Sequence, residues 1–180
     1  IPMGAWLDRT PKTKTAAWSK HKVVFLGHLI PRQGVDTLIK AVAILKKQGV
    51  DVTAEIIGGG PIKEELEALS AKMGVANQIT FHGFVADHKD VEKILASATY
   101  AVAPYVKDKT NFVQFSDAGK LKAYLGAYLP IVLNDVPNNA QDLKKAGAAL
   151  ISEDNPVAFA KAMAVWLTDE GAWKKARSAA

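Results

Sequence analysis

The chain has no cysteine among its 180 residues, which removes disulfide frameworks, thiolate metal sites and cysteine nucleophiles together and fits a reducing compartment. Long apolar runs are also missing. Val23-Val24-Phe25-Leu26 and Ala101-Val102-Ala103 fall far short of the ~20 residues a spanning helix needs. Ile1-Pro2-Met3-Gly4-Ala5-Trp6 shows no basic region followed by an apolar stretch and a cleavage site, so it does not read as an export signal. A cytoplasmic location is expected. His21, His28, His82 and His88 lack paired ligand spacing, and no acidic cluster accompanies them, so neither a metal nor a cofactor is expected.

What is present is an ordinary globular composition, 49% hydrophobic and 23% charged, enough for one well-buried domain. Most of the net charge of +5 lies in the first 22 residues, where Arg9, Lys12, Lys14, Lys20 and Lys22 face only Asp8. Thr10-Pro11-Lys12-Thr13-Lys14-Thr15 reads as a solvated linker, because it offers nothing to bury. Peripheral contact with an anionic membrane surface through Trp6, Trp18 and the lysines is its second reading. Aromatic and basic residues do not interleave further along, so no nucleic-acid partner is expected. Residues 1–21 are taken as a connector and residues 22–180 as the domain.

Within the domain, Val23 to Leu26 ends at Gly27, as a strand buried on both faces does. Val35, Leu38, Ile39, Val42 and Leu45 then recur at helical spacing until Gly49. The unit repeats. Strands are predicted at 52–57, 79–81, 100–103, 131–133 and 149–151. Helices are predicted from Pro61 to Gly74, around Val91 to Leu95, over 119–127 and 141–146, and from Asn155-Pro156 onward. Six apolar strands alternating with amphipathic helices imply an α/β fold, a doubly wound six-stranded parallel sheet with helices on both faces. In such sheets ligands bind beyond the carboxyl ends of the strands, which directs attention to loops 27–34, 58–60, 83–87, 104–118 and 134–139.

Gly58-Gly59-Gly60-Pro61 lacks the spacing of a dinucleotide or P-loop fingerprint and reads mainly as a tight strand-to-helix turn. His28, Arg32 and Gln33 lie ahead of a helix N-terminus, where anions are favoured, with plain solvent exposure as the alternative. Asp117 and Lys120 flank Gly119 at another helix start, where Lys120 and backbone N–H groups could hold an anion and Asp117 could cap. Trp6, Trp18, Trp166 and Trp173 are read as packing residues.

Taken together, four ordered segments resemble the C-terminal, donor-binding domain of GT-B glycosyltransferases, specifically the large retaining group 1 (family 4-like) set. They are Val24 to Ile39, Ile56 to Leu66, Ile79 to Val85, and Lys120 to Val132. The resemblance implies a Rossmann-like domain that binds a nucleotide sugar and transfers the sugar to a glycan or glycolipid acceptor. It places Gly27, His28, Arg32 and Gln33 near the donor diphosphate, Gly83, Phe84 and Val85 near the base, and Asp117, Gly119, Lys120 and Leu121 near the sugar and phosphates; no catalytic residue is assigned. Ile1-Pro2-Met3-Gly4 resembles the interdomain connector, which implies an N-terminal acceptor domain outside this chain as a partner. Departures from the family pattern are visible. His28 stands where the family often has Arg, and Gln33 where it has Lys. The paired acids fall on Phe115 and Ala123, with Asp117 as a substitute for the first, and Tyr128 replaces a turn glycine. These departures keep a second reading open, a degenerate domain serving as a binding or scaffolding module, and a third, an unrelated flavodoxin-like module.

Overall fold

In a computed structural model of the protein, residues 17–108 and 119–180 are described, and they form a six-stranded parallel sheet in the order β3-β2-β1-β4-β5-β6. The strands are β1 (Lys22–Leu26), β2 (Thr53–Ile57), β3 (Ile79–Gly83), β4 (Tyr100–Ala103), β5 (Ile131–Asn134) and β6 (Ala149–Ser152). The helices are α1 (Val35–Lys47), α2 (Lys63–Lys72), α3 (His88–Ala96), α4 (Gly119–Gly126), α5 (Ala140–Lys145), α6 (Pro156–Thr168) and α7 (Glu170–Ala179). The doubly wound expectation holds, and the strand order reverses direction between β1 and β4.

Alternation along β1 assigns the two cores. Val23 and Phe25 face a cluster with Leu38, Ile39 and Val42 of α1, Leu66 of α2, Phe159 and Met163 of α6, and Trp173 of α7. Val24 faces the other cluster, with Leu95 of α3, Leu121 and Tyr124 of α4, and Ala140 of α5. Central strands β4 and β5 are buried at every position, as both-face coverage requires.

Local signals explain most boundaries. Asn155 caps α6 by accepting from the Ala158 N–H, with Pro156 as first helical residue. Helix α2 opens at Lys63 rather than Pro61, because Gly60 to Ile62 first complete a turn closed by Lys63 N–H donating to Gly60 O. Helix α7 was not anticipated. It is short and mostly polar, yet Asp169 marks its start, its carboxylate accepting from the Ala172 N–H. Trp18, Trp166 and Trp173 are packing residues, and Trp6 lies outside the described residues: Trp18 donates to Trp166 O at 2.7 Å, tying the segment ahead of β1 to α6, and Trp173 donates to Thr99 O at 2.7 Å.

Near the β3 edge, polar side chains link three strands. Glu55 accepts from Lys22 at 2.9 Å and from His82 at 2.5 Å. Burial alone would raise the Glu55 carboxyl, but the hydrogen bonds from Lys22 and His82 outweigh it and hold the group below its ordinary range.

The β1–β4 pair carries the feature that matters most for a site. Its paired register runs Val23 with Tyr100 and Val24 with Ala101, and no further. Beyond that point the Tyr124 hydroxyl takes over, accepting from Leu26 N–H at 2.8 Å and donating to Val102 O at 3.2 Å. Burial pushes this hydroxyl well above its ordinary titration range, so it stays protonated and able to donate. Tyr124→Phe leaves a buried N–H and a buried carbonyl without their partner and is expected to cost about 1–3 kcal/mol in urea unfolding. A change of less than a few tenths would show that the two strands close up directly.

Candidate functional site

The carboxyl end of the sheet is built from backbone packed on backbone. Gly27 N–H donates to Ile57 O at 2.9 Å, Leu29 N–H to Gly59 O at 2.8 Å and Gly58 N–H to Gly83 O at 2.8 Å, so the loops after β1, β2 and β3 are zipped side by side. Glycine is required there. A Cβ on Gly58, whose φ is +134°, would lie 1.9 Å from Gly27 O, and one on Gly60 would lie 2.3 Å from Leu29 O. The triple glycine therefore packs as the tight turn expected of it.

The loop after β1 is held from its other side by the segment after β4. Gly34 adopts φ +67° so closely against that segment that a Cβ would meet Pro104 O at 1.7 Å, and Val106 N–H donates to Arg32 O at 3.1 Å. Both loops flank the reversal of strand order, which is where open α/β sheets form a ligand crevice.

Into this crevice α4 delivers Lys120. Its Nζ donates to Gln33 Oε1, and it lies 4.2 Å from the Phe25 ring centroid and 4.8 Å from that of Tyr105. Gly27 makes the room: a Cβ there would fall 2.7 Å from the amine. Burial among these groups pushes the Lys120 amine down to about 7, with no carboxylate among the described residues to oppose it. The two aromatic faces favour the charged form. The amine is thus a desolvated cation or base carried by the first turn of α4, the positive end of that helix.

The structure sorts the residues expected at a site. Gly27, Gln33 and Lys120 converge within one constellation. His28 and Arg32 are exposed on the same loop. Gly83 is joined to Gly58, and the Cβ that Gly59 lacks would lie 4.0 Å from Phe84, whose side chain is 83% exposed at the rim. Val85 packs its side chain against the core, and Leu121 is fully buried in it, so each offers a ligand little beyond its backbone. Gly119 is exposed at the start of α4. Asp117 and Phe115 lie outside the described residues. Ala123, on α4, carries no acid. Tyr128 keeps the left-handed backbone of the glycine it replaces, at φ 54°.

Sequence reasoning missed Phe25, Tyr105 and Tyr124. Tyr124 had a signal, since it lies four residues after Lys120 and shares its helix face; Phe25 and Tyr105 had none beyond their place at strand ends.

A six-stranded parallel sheet covered by helices on both faces, with its strand order reversing between β1 and β4, places the chain in the class of doubly wound α/β domains. The sequence profile described as "Glycosyl transferases group 1" matches residues 20–169, and the chain belongs to that family. It is similar to the GDP-mannose-dependent alpha-(1-6)-phosphatidylinositol monomannoside mannosyltransferase of Mycobacterium tuberculosis, 42% identical over 64 residues that cover 36% of this chain and 17% of that enzyme. Among solved structures it matches WaaG, a glycosyltransferase involved in lipopolysaccharide biosynthesis, with a TM-score of 0.77 at 20% identity, over 99% of this chain and 50% of that one. It also matches the C-terminal domain of the group 1 family protein LpcC from Francisella tularensis, with a TM-score of 0.71 at 18% identity, over 98% of this chain and 89% of that one. The chain therefore spans half the length of WaaG and a smaller share of the mycobacterial enzyme, and the fold is the Rossmann-like domain of GT-B glycosyltransferases. Among the described residues no helix is long and apolar enough to cross a membrane.

Proposed function

We propose that this chain is the donor-binding domain of a glycosyltransferase that moves a sugar from a nucleoside diphosphate to a hydroxyl-bearing glycan or glycolipid. The observation that carries the reading is the Lys120 amine held beneath Gly27 at the crevice, in a member of a glycosyltransferase family. In such a transfer the bond between the sugar's anomeric carbon and the phosphate oxygen breaks, an acceptor oxygen bonds to that carbon, and negative charge collects on the departing diphosphate. A preplaced cation and the N-terminal N–H groups of α4 stabilise that charge where it develops. Lys120 is the residue for this role, with Arg32, exposed on the loop after β1, as a further cation.

The rim supplies a second element. Phe84 offers an exposed aromatic face next to Gly59, suited to stacking a nucleobase while the platform glycines let the donor approach backbone. The acceptor is held by a domain outside this chain, and the enzyme works at the cytoplasmic side of a membrane when its acceptor is a lipid.

The test is amide chemical-shift perturbation of the chain with UDP, GDP, ADP and CDP. The mycobacterial relative depends on GDP-mannose, so saturable shifts with GDP are expected at 27–34, 58–60, 83–85 and 119–121. Silence across the panel from a folded chain would favour the degenerate scaffolding module instead, to which Ala123 in place of an acid already points.

A further inference from the structure

The side chains of Gln33 and Lys120 come from elements 87 residues apart and meet tip to tip under Gly27. Gln33 rises from the loop between β1 and α1, Lys120 from the first turn of α4. Two aromatic rings also lie against the amine, Phe25 from β1 and Tyr105 from the segment after β4. Neither ring fixes the direction in which an ammonium aims its hydrogens. The Gln33 amide oxygen does, because it engages one of the three hydrogens and so restricts where the other two point.

We infer that Gln33 is a positioning residue that acts through Lys120, aiming its ammonium at the donor diphosphate, and that the two positions are interchangeable as sources of that cation. The inference rests on the donor-binding reading above. Interchangeability follows from reach. A glutamine and a lysine differ by one atom along the side chain, and their tips already occupy adjoining points, so exchanging the two residues returns an amine and an amide to the same place with the donor and acceptor reversed in origin. An acceptor at position 33 is the part that an aliphatic side chain of similar size lacks.

The test measures dissociation constants of GDP, UDP and inorganic pyrophosphate for the 180-residue chain by titration calorimetry at pH 6.5, with circular dichroism to confirm folding. Isolation of the domain is reasonable, since the LpcC C-terminal domain was crystallised as such. Lys120→Gln is expected to weaken diphosphate binding about 10- to 100-fold, the range for losing a charge-assisted hydrogen bond. The exchange variant, Gln33→Lys with Lys120→Gln, is expected to recover most of that loss. Gln33→Leu keeps the cation but removes its acceptor, so the pH at which affinity falls to half moves downward, a change that a purely structural role would not produce.

Wild-type affinity retained by Lys120→Gln overturns the assignment while leaving the donor-binding reading intact. An exchange variant that is folded yet as weak as Lys120→Gln overturns the interchangeability, and an unmoved pH midpoint in Gln33→Leu overturns the positioning role. Failure of the wild-type chain to bind any of the three ligands overturns the donor-binding reading and this inference with it.

Discussion

Lys120→Met is expected to melt at a higher temperature than the wild-type chain at pH 7 while losing its affinity for nucleoside diphosphates. Methionine keeps the stem of the lysine against Phe25 and Tyr105 and discards the charge. The charged form of a desolvated amine carries a penalty that an apolar side chain of similar volume does not, and even buried ion pairs replaced in this way leave a fold unchanged or more stable by about 1–4 kcal/mol. The pH dependence gives the sharper check. The Lys120 amine titrates at about 7 in the folded chain and near ~10.4 when unfolded, so between those values the unfolded state binds more protons. Its contribution to stability is therefore complete above ~10.4 and is lost as pH falls through about 7. Going from pH 7 to 9, the wild type should gain about 2 kcal/mol relative to Lys120→Met in urea unfolding. Parallel curves for the two proteins would mean that the amine is solvated and titrates normally. Ligand affinity runs in the opposite sense: only the charged amine serves a diphosphate, so wild-type affinity falls about tenfold per unit once pH passes well above the midpoint.

Gly34→Ala should be among the most damaging single substitutions in the chain. Its backbone sits at φ +67°, which costs a residue with a Cβ about 1–2 kcal/mol. The larger part is steric: the new methyl would sit 1.7 Å from Pro104 O, so the loop after β1 must lift off the segment after β4. A loss of about 4 kcal/mol or more in urea unfolding is expected, in the range reserved for severe backbone or core disruption. Gly74→Ala is the control. It has a similar φ of +70° with nothing within 4 Å of a Cβ, so it should show the strain alone. Equal losses at the two positions would mean that the contact with Pro104 relaxes at no cost.

Much of the fold was legible because central parallel strands leave a plain mark. Val23 to Leu26 and Tyr100 to Ala103 are uninterrupted apolar runs, and the helices between the strands carry one apolar stripe each. Helix α7 escaped because its buried residues, Trp173 and Ala176, are too few to set a period, and its cap at Asp169 has no strong apolar run behind it. The site was legible residue by residue and not as a constellation. Gln33 and Lys120 were both singled out, Gln33 as a departure from the family pattern, yet nothing local says that two side chains 87 residues apart touch; only the reversal of strand order brings them together. Leu121 shows the opposite limit, since resemblance placed it at the ligand while packing turns its side chain into the core.

Helix α4 carries two tasks one turn apart. Lys120 brings charge to the crevice, and Tyr124 spans the gap between β1 and β4 through Leu26 N–H and Val102 O. A displacement of the helix along its axis withdraws both at once, because they share one rigid rod. The amide proton of Leu26 is consequently a gauge of where the ammonium stands, readable by hydrogen exchange without any label in the crevice itself. Slow exchange at that one amide reports a seated helix and an aimed cation; fast exchange reports that both have left.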